Sequence, residues 1–218
     1  MPNARRYFVT GTDTDVGKTR VTAGLALALA RAGAEPVIVK PIQTGALAGE
    51  EGDAERAGRL AGCAFHEYAR FERPADPWAA AVAEDRPVQR VADIAARLAA
   101  EPGSIVVEGA GGIAGPLGPD ETFADLAAAT GLSTIVVVGL RLGCISHALL
   151  TVAYLRSRGV EPAGALLVAR HAPVEPAYVA DVRRALADRV AIWGVVPYDE
   201  DEAASVEYVA ALASKGAA

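Results

Sequence analysis

Six short runs of apolar, mostly β-branched residues punctuate the chain, at 7–10, 36–40, 104–108, 133–139, 165–169 and 191–196. None of them alternates apolar with polar positions. Uninterrupted apolar runs of this length fit strands covered on both faces, as in a parallel sheet. Between most of them the apolar spacing becomes helical, over 18–32, 91–100, 123–130, 145–158 and 176–187, and a last helix is predicted over 202–213. Gly33, Gly131 and Gly159 follow three of these helices, where a C-terminal stop is expected. The alternation predicts a doubly wound α/β fold: a mainly parallel sheet, helices on both faces and right-handed crossovers. Ligands in such folds bind beyond the carboxyl ends of the strands.

Two stretches break the rhythm. Residues 41–87 hold Pro41, Pro74, Pro77 and Pro87 and several glycines, and read as a long loop with at most one short helix over 53–60. Loops of that length are usually functional or mobile. Residues 109–119 contain five glycines and two prolines. With no internal repeat and no low-complexity linker, residues 1–218 are expected to form a single domain.

The first strand runs into Thr10-Gly11-Thr12-Asp13-Thr14-Asp15-Val16-Gly17-Lys18-Thr19, which opens a helix. A Gly-Lys-Thr ending in this setting is a phosphate-binding loop, although the strict spacing wants glycine where Thr12 stands. Loop amides and the helix dipole would hold phosphate, Lys18 would reach the terminal phosphates, and the Thr19 hydroxyl would take Mg²⁺. Asp13 and Asp15 are unusual beside an anion. They are either turn-forming or solvated, or Asp15 contacts Mg²⁺ or the nucleotide.

Glu108 ends a strand-like run, where a second metal-side carboxylate belongs, and Gly109, Gly111 and Gly112 leave room for a ligand. Lys40 ends the second run and would face the same crevice as Lys18, to neutralise a substrate anion or developing charge; its bland alternative is a solvated strand end. Thr44 offers a hydroxyl nearby. Asp53 is either the N-cap of the short helix or a metal ligand. His66, His147 and His171 show no ligand spacing, no nucleophile motif of the Gly-x-Ser-x-Gly type is present, and nothing marks Cys144 as reactive.

Composition narrows the partners. Lys plus Arg number 21 against 27 Asp plus Glu, a net charge of −6, so no basic footprint for nucleic acid exists. Apolar residues make up 52%, which excludes a disordered chain. Cys63 and Cys144 lie too far apart for a Cys-x-x-Cys motif and suit a reducing compartment. Met1 to Arg6 show no signal-peptide core, and the apolar stretch 132–142 is shorter than the ~20 residues a bilayer needs. A soluble, cytoplasmic protein without membrane or nucleic-acid partners is expected.

Taken together, these segments resemble the dethiobiotin synthetase family, ATP-dependent ring-closing ligases of biotin synthesis. The matching stretches are 7–19, Lys40-Pro41 with Thr44-Gly45, Val107-Glu108-Gly109-Ala110-Gly111-Gly112, Thr122-Phe123-Ala124-Asp125-Leu126, and Gly143-Cys144-Ile145-Ser146-His147-Ala148. The resemblance implies a P-loop NTPase fold, Mg²⁺, and 7,8-diaminononanoate, CO₂ and ATP as substrates. It also implies a carbamate, then a carbamic–phosphoric anhydride, then ring closure. By the same resemblance Lys18 and Lys40 are catalytic, and Thr19, Asp53 and Glu108 stand at the Mg²⁺ positions. Asp15, Val16, Gly17, Lys18, Thr19 and Arg20 line the nucleotide, as do Asp53, Glu108, Gly109, Ala110 and Gly111. Pro197, Tyr198 and Asp199 match a nucleotide-side turn. Thr44 matches a substrate hydroxyl. Gly143, Cys144, Ile145 and Ser146 match a helix start that reaches the substrate's carboxylate across a homodimer interface, helped by its dipole. Tyr178 matches a tyrosine near that tail less closely.

The chain also departs from the family. Ala169 and Arg170 stand where many members carry an adenine-reading Asn-Asp, Ser146 replaces a common Asn, and Asp15 a frequent Glu. The competing class is a dimeric partitioning or regulatory ATPase of the same superfamily. Those proteins carry a second lysine where this chain has Asp13, and their membrane-bound relatives end in a basic amphipathic helix, whereas 202–213 has no Lys or Arg.

Overall fold

A computed structural model describes residues 4–216; Met1, Pro2 and Asn3, part of the N-terminal reading above, lie outside them. Its seven strands, β1(Arg6–Gly11), β2(Val37–Thr44), β3(Ala64–Phe71), β4(Ile105–Gly112), β5(Ser133–Gly139), β6(Gly164–Val168) and β7(Ile192–Val196), form one sheet in the order β3-β2-β4-β1-β5-β6-β7. Every pairing is parallel. The helices are α1(Lys18–Arg31), α2(Asp53–Ala61), α3(Pro77–Ala83), α4(Val91–Ala100), α5(Phe123–Thr130), α6(Cys144–Ser157), α7(Pro176–Leu186) and α8(Glu202–Gly216). The doubly wound α/β expectation holds, with helices on both faces.

Alternate strand residues feed two cores. Phe8, Val39, Val107 and Val136 pack with α3 to α7, while Val9, Ile38, Val106 and Ile135 pack with α1, α2 and α8. Apolar side chains are therefore needed at successive positions, which is why these strands do not alternate. Burying each contributes roughly 1.5–3 kcal/mol. Small residues let α1 and α8 approach closely. A Cβ at Gly24 would lie 2.4 Å from Val209. β1 is central, between β4 and β5, so the loop at its carboxyl end emerges mid-sheet.

The reading of 41–87 is corrected by the structure. β2 continues through Pro41 to Thr44, β3 follows the short helix, and α3 starts at Pro77. Pro41 is tolerated because β2 pairs with β4 only over Val37 to Val39, so its missing N–H removes no bond on that side. β3 is an edge strand with only its last residue, Phe71, fully buried and with no Val, Ile or Thr, so it lacks the pattern of the buried strands. Likewise β4 runs past Glu108 to Gly112. Other boundaries fall within a few residues of expectation, and Gly33, Gly131 and Gly159 all adopt positive φ. No described helix is long and apolar enough to cross a membrane.

Candidate active site

A cleft of about 590 Å³ opens beyond the carboxyl ends of β1, β2 and β4. Its floor is the phosphate loop. Gly17 caps α1 at φ 101°, a left-handed geometry that costs other residues about 1–2 kcal/mol. Lys18 then begins α1 and folds back, its Nζ donating to the Asp13 carbonyl at 2.9 Å. Burial, reinforced by the charge of Lys40, lowers the Lys18 pKa to about 8.

Lys40 lies opposite, only 2% exposed. Its Nζ donates to Asp53 Oδ2 at 2.7 Å, to Glu108 Oε1 at 2.9 Å and to the Gly109 carbonyl at 3.0 Å. Burial disfavours its charge, but Glu108 and Asp53 outweigh burial and hold its pKa above the usual value. Asp53 also resists its own burial, because Lys40 keeps its pKa low. Glu108 is 1% exposed, and burial, with the Asp53 charge beside it, drives its pKa up more than the two lysines pull it down. The Thr19 hydroxyl donates to Glu108 Oε1 at 3.1 Å, and Glu108 Oε2 has no hydrogen-bond partner.

These groups fit Mg²⁺. An orphaned buried oxygen costs roughly 1–3 kcal/mol, which a cation would recover. Thr19, Asp53 and Glu108 offer hard oxygen donors. Among the described residues no cluster of three His, Cys, Asp or Glu forms an all-protein cage. Mg²⁺ needs none, since it typically takes one or two carboxylates with phosphates and water.

The structure brings most predicted residues into this cleft: Asp15, Gly17, Lys18, Thr19, Arg20, Lys40, Thr44, Asp53, Glu108, Ala110 and Gly111 line it. Val16 lies buried beneath the loop against Gly139, and Gly109 contributes its carbonyl to Lys40. Asp53 is not the N-cap; Gly52 is, and the Asp53 N–H donates to Gln43 Oε1 at 2.9 Å. The guanidinium of Arg20 donates to the Asp199 carbonyl, Ser205 and Glu202. Pro197, Tyr198 and Asp199 follow β7 and do not line the cleft.

Asp13 accepts from the Thr14 N–H at 2.8 Å and pairs with Arg141. Asp15, at φ 55°, lies 3.5 Å from Arg170 and 3.3 Å from His171. Gly143, Cys144, Ile145 and Ser146 lie apart from the cleft, at the start of α6. Cys144 is buried with its sulfur 3.4 Å from the Tyr178 hydroxyl, which donates to the Arg141 carbonyl at 2.7 Å.

Gln43, Arg56, Asp76 and Glu202 also line the cleft and were not singled out from the sequence. Only Arg56 carried a signal, standing one helical turn after Asp53 on the same face.

A Gly-Lys-Thr loop at the centre of a parallel sheet, facing a buried lysine and two carboxylates, defines a P-loop nucleotide-binding α/β protein. Its fold neighbours agree. The cell division ATPase MinD of Pyrococcus furiosus superposes with a TM-score of 0.61 at 18% identity, over 98% of this chain and 99% of that one. The cell division protein FtsY of Thermotoga maritima gives 0.57 at 17% identity, over 96% and 70%. At these identities the likeness is one of fold. An AAA domain family model matches residues 5–205. The ATP-dependent dethiobiotin synthetase BioD of Anaeromyxobacter dehalogenans (strain 2CP-C) is 48% identical over 170 residues, 75% of this chain and 76% of the relative. That of Aromatoleum aromaticum is 39% identical over 175 residues, 75% and 77%. The chain belongs to the dethiobiotin synthetase family of ATP-dependent ligases.

Proposed function

We propose that this protein closes the ureido ring of dethiobiotin from 7,8-diaminononanoate, CO₂ and ATP, as a soluble cytoplasmic homodimer. One observation carries the reading: Lys18, Lys40, Thr19, Asp53 and Glu108 converge in one cleft from four separate elements. A carbamate oxygen on one substrate amine attacks the γ-phosphorus, and ADP leaves. The second amine then attacks the carbamoyl carbon of the mixed anhydride, and phosphate leaves as the ring closes.

Lys18 would leave the Asp13 carbonyl for the β- and γ-phosphates, together with the loop amides. Lys40 would set its charge against the carbamate and the transferring phosphoryl group. Thr44 would fix the substrate by its hydroxyl. Thr19, Asp53 and Glu108 would hold Mg²⁺, which offsets phosphate charge when bound.

The assay is direct. Product detected by mass spectrometry should require diamine, bicarbonate, Mg²⁺ and nucleotide together. The competing reading, a switch ATPase, rests on fold likeness to proteins such as MinD. Equal nucleotide hydrolysis with and without the diamine would favour it and overturn ours.

The homodimer reading is supported by the exposed apolar face at the start of α6. Leu142 is 93% and Leu150 66% exposed, and with Ile145 and Leu149 they flank Gly143 and Ser146. Contiguous exposed apolar patches mark interaction surfaces, and two-fold dimers are the commonest homo-oligomers. Light scattering should show a dimer, and Leu150→Asp should yield a poorly active monomer. A fully active monomer would refute the shared site.

Nucleotide choice should be broad. Ala169 has no polar side-chain atom, and Arg170 only donates and lies against Asp15. Lys18, Thr19 and the loop amides contact phosphate whatever the base. GTP and CTP should support turnover within about tenfold of ATP, a difference of roughly 1.4 kcal/mol. A preference for ATP above about a thousandfold would show that other groups read adenine, since such ratios need polar groups left unpaired by the wrong base.

A further inference from the structure

Two of the oxygens that fit a divalent cation, one on Asp53 and one on Glu108, are already engaged by a cation of the protein's own. Lys40 Nζ sits 2.7 Å from Asp53 Oδ2 and 2.9 Å from Glu108 Oε1, in a position almost sealed from water. Glu108 Oε1 also accepts from the Thr19 hydroxyl, so two of the three candidate ligands touch the ammonium and the third is tied to it through Glu108. Glu108 Oε2 is buried and has no hydrogen-bond partner. An ammonium neutralises only one of the two carboxylates it touches.

We propose that Lys40 is the resident counter-ion of the cation site, displaced from Glu108 and Asp53 when a divalent cation enters. The inference rests on reading Thr19, Asp53 and Glu108 as the cation's ligands. A divalent cation on Glu108 would lie within a few ångströms of the Lys40 charge, where a dry site screens poorly. The two charges therefore compete for the same carboxylates. The Gly109 carbonyl, 3.0 Å from Nζ and neutral, offers a contact that the lysine keeps as it swings on its flexible stem.

Two consequences follow. The nucleotide-free protein binds divalent cations weakly, because each must first displace an ammonium. An anionic substrate gains the full charge of Lys40 only after the cation has relieved it of Glu108 and Asp53. Lys40 thereby couples loading of the nucleotide side to capture of the substrate side.

Mn²⁺ titration of the nucleotide-free protein, read by electron paramagnetic resonance, tests this without any turnover. Lys40→Gln keeps a donor for Glu108 but loses the charge, and should bind Mn²⁺ about tenfold tighter or more, within the usual range of coupling between sites. Lys40→Arg, which keeps the charge, should bind like the wild type. Adding Glu108→Gln to Lys40→Gln should abolish the gain. Unchanged affinity in Lys40→Gln, or an equal gain in Lys40→Arg, overturns the proposal. Should Lys40→Gln not fold, the wild-type protein decides. In a crystal structure with Mg²⁺ and a non-hydrolysable ATP analogue, Nζ should lie beyond about 3.5 Å from Glu108. An intact pair beside a bound cation overturns the proposal. Failure of the functional reading shows up separately, as a wild-type protein that forms no dethiobiotin whatever its Mn²⁺ affinities.

Discussion

Lys40→Gln should leave nucleotide binding, measured without a divalent cation, close to wild type and cut dethiobiotin formation by about two orders of magnitude or more, the scale of losing one preorganised electrostatic contact. Lys40 approaches the site from β2, whereas the phosphate loop comes from β1, so the loop amides and Lys18 remain in place in this variant. The glutamine amide still reaches for Glu108 but brings no charge to the developing oxyanion. Calorimetric titration with an ATP analogue, beside steady-state turnover, separates the two effects. Near-normal turnover would reduce Lys40 to a structural ion pair within the carboxylates.

Lys18→Met should abolish turnover and at the same time stabilise the free protein. Burial lowers the Lys18 pKa from 10.5 to about 8, so the folded state disfavours the charged form. Below pH 8 the wild type therefore carries the whole cost. The cost fades as pH rises from about 8 towards 10.5, where the unfolded chain also loses the proton. Stability from this group thus increases with pH across that window. The shift corresponds to an upper bound of roughly 3 kcal/mol. At about 2–4 °C per kcal/mol for a chain of this size, Tm should rise by several degrees at pH 7. The difference from wild type should shrink at pH 10. Scanning calorimetry without nucleotide reads it, and a lower Tm in the variant would show that Lys18 is stabilised by Asp13 and its neighbours.

The sequence made the central strands legible because β1, β4 and β5 are buried on both faces and carry uninterrupted apolar runs at 7–9, 105–107 and 135–138. β3 escaped because an edge strand carrying Phe65, His66, Glu67 and Arg70 needs no such run. Lys18, Lys40, Thr19 and Glu108 were legible as chemistry, since each sits at a strand end or a loop motif. Their mutual arrangement was not. Lys40 and Glu108 are 68 positions apart, and only the β2–β4 pairing sets them side by side. Asp53 stayed ambiguous between cap and ligand because its helix is capped from a distance: Gln43, ten positions earlier, satisfies its N–H and frees its carboxylate for Lys40. No local pattern encodes that.

The close seat of α8 on α1 bears on when the site can exist at all. α1 carries Lys18 and Thr19, yet Gly24 is shaped to receive Val209, and Arg20 is held by Glu202, 182 residues further along. On the ribosome, at about 5–20 residues per second, the phosphate loop emerges many seconds before the helix that braces it. A nascent chain lacking α8 would present an uncovered apolar face on α1 through all of that time. The phosphate loop therefore waits, braced only on one side, for a helix that is made 182 residues after Arg20.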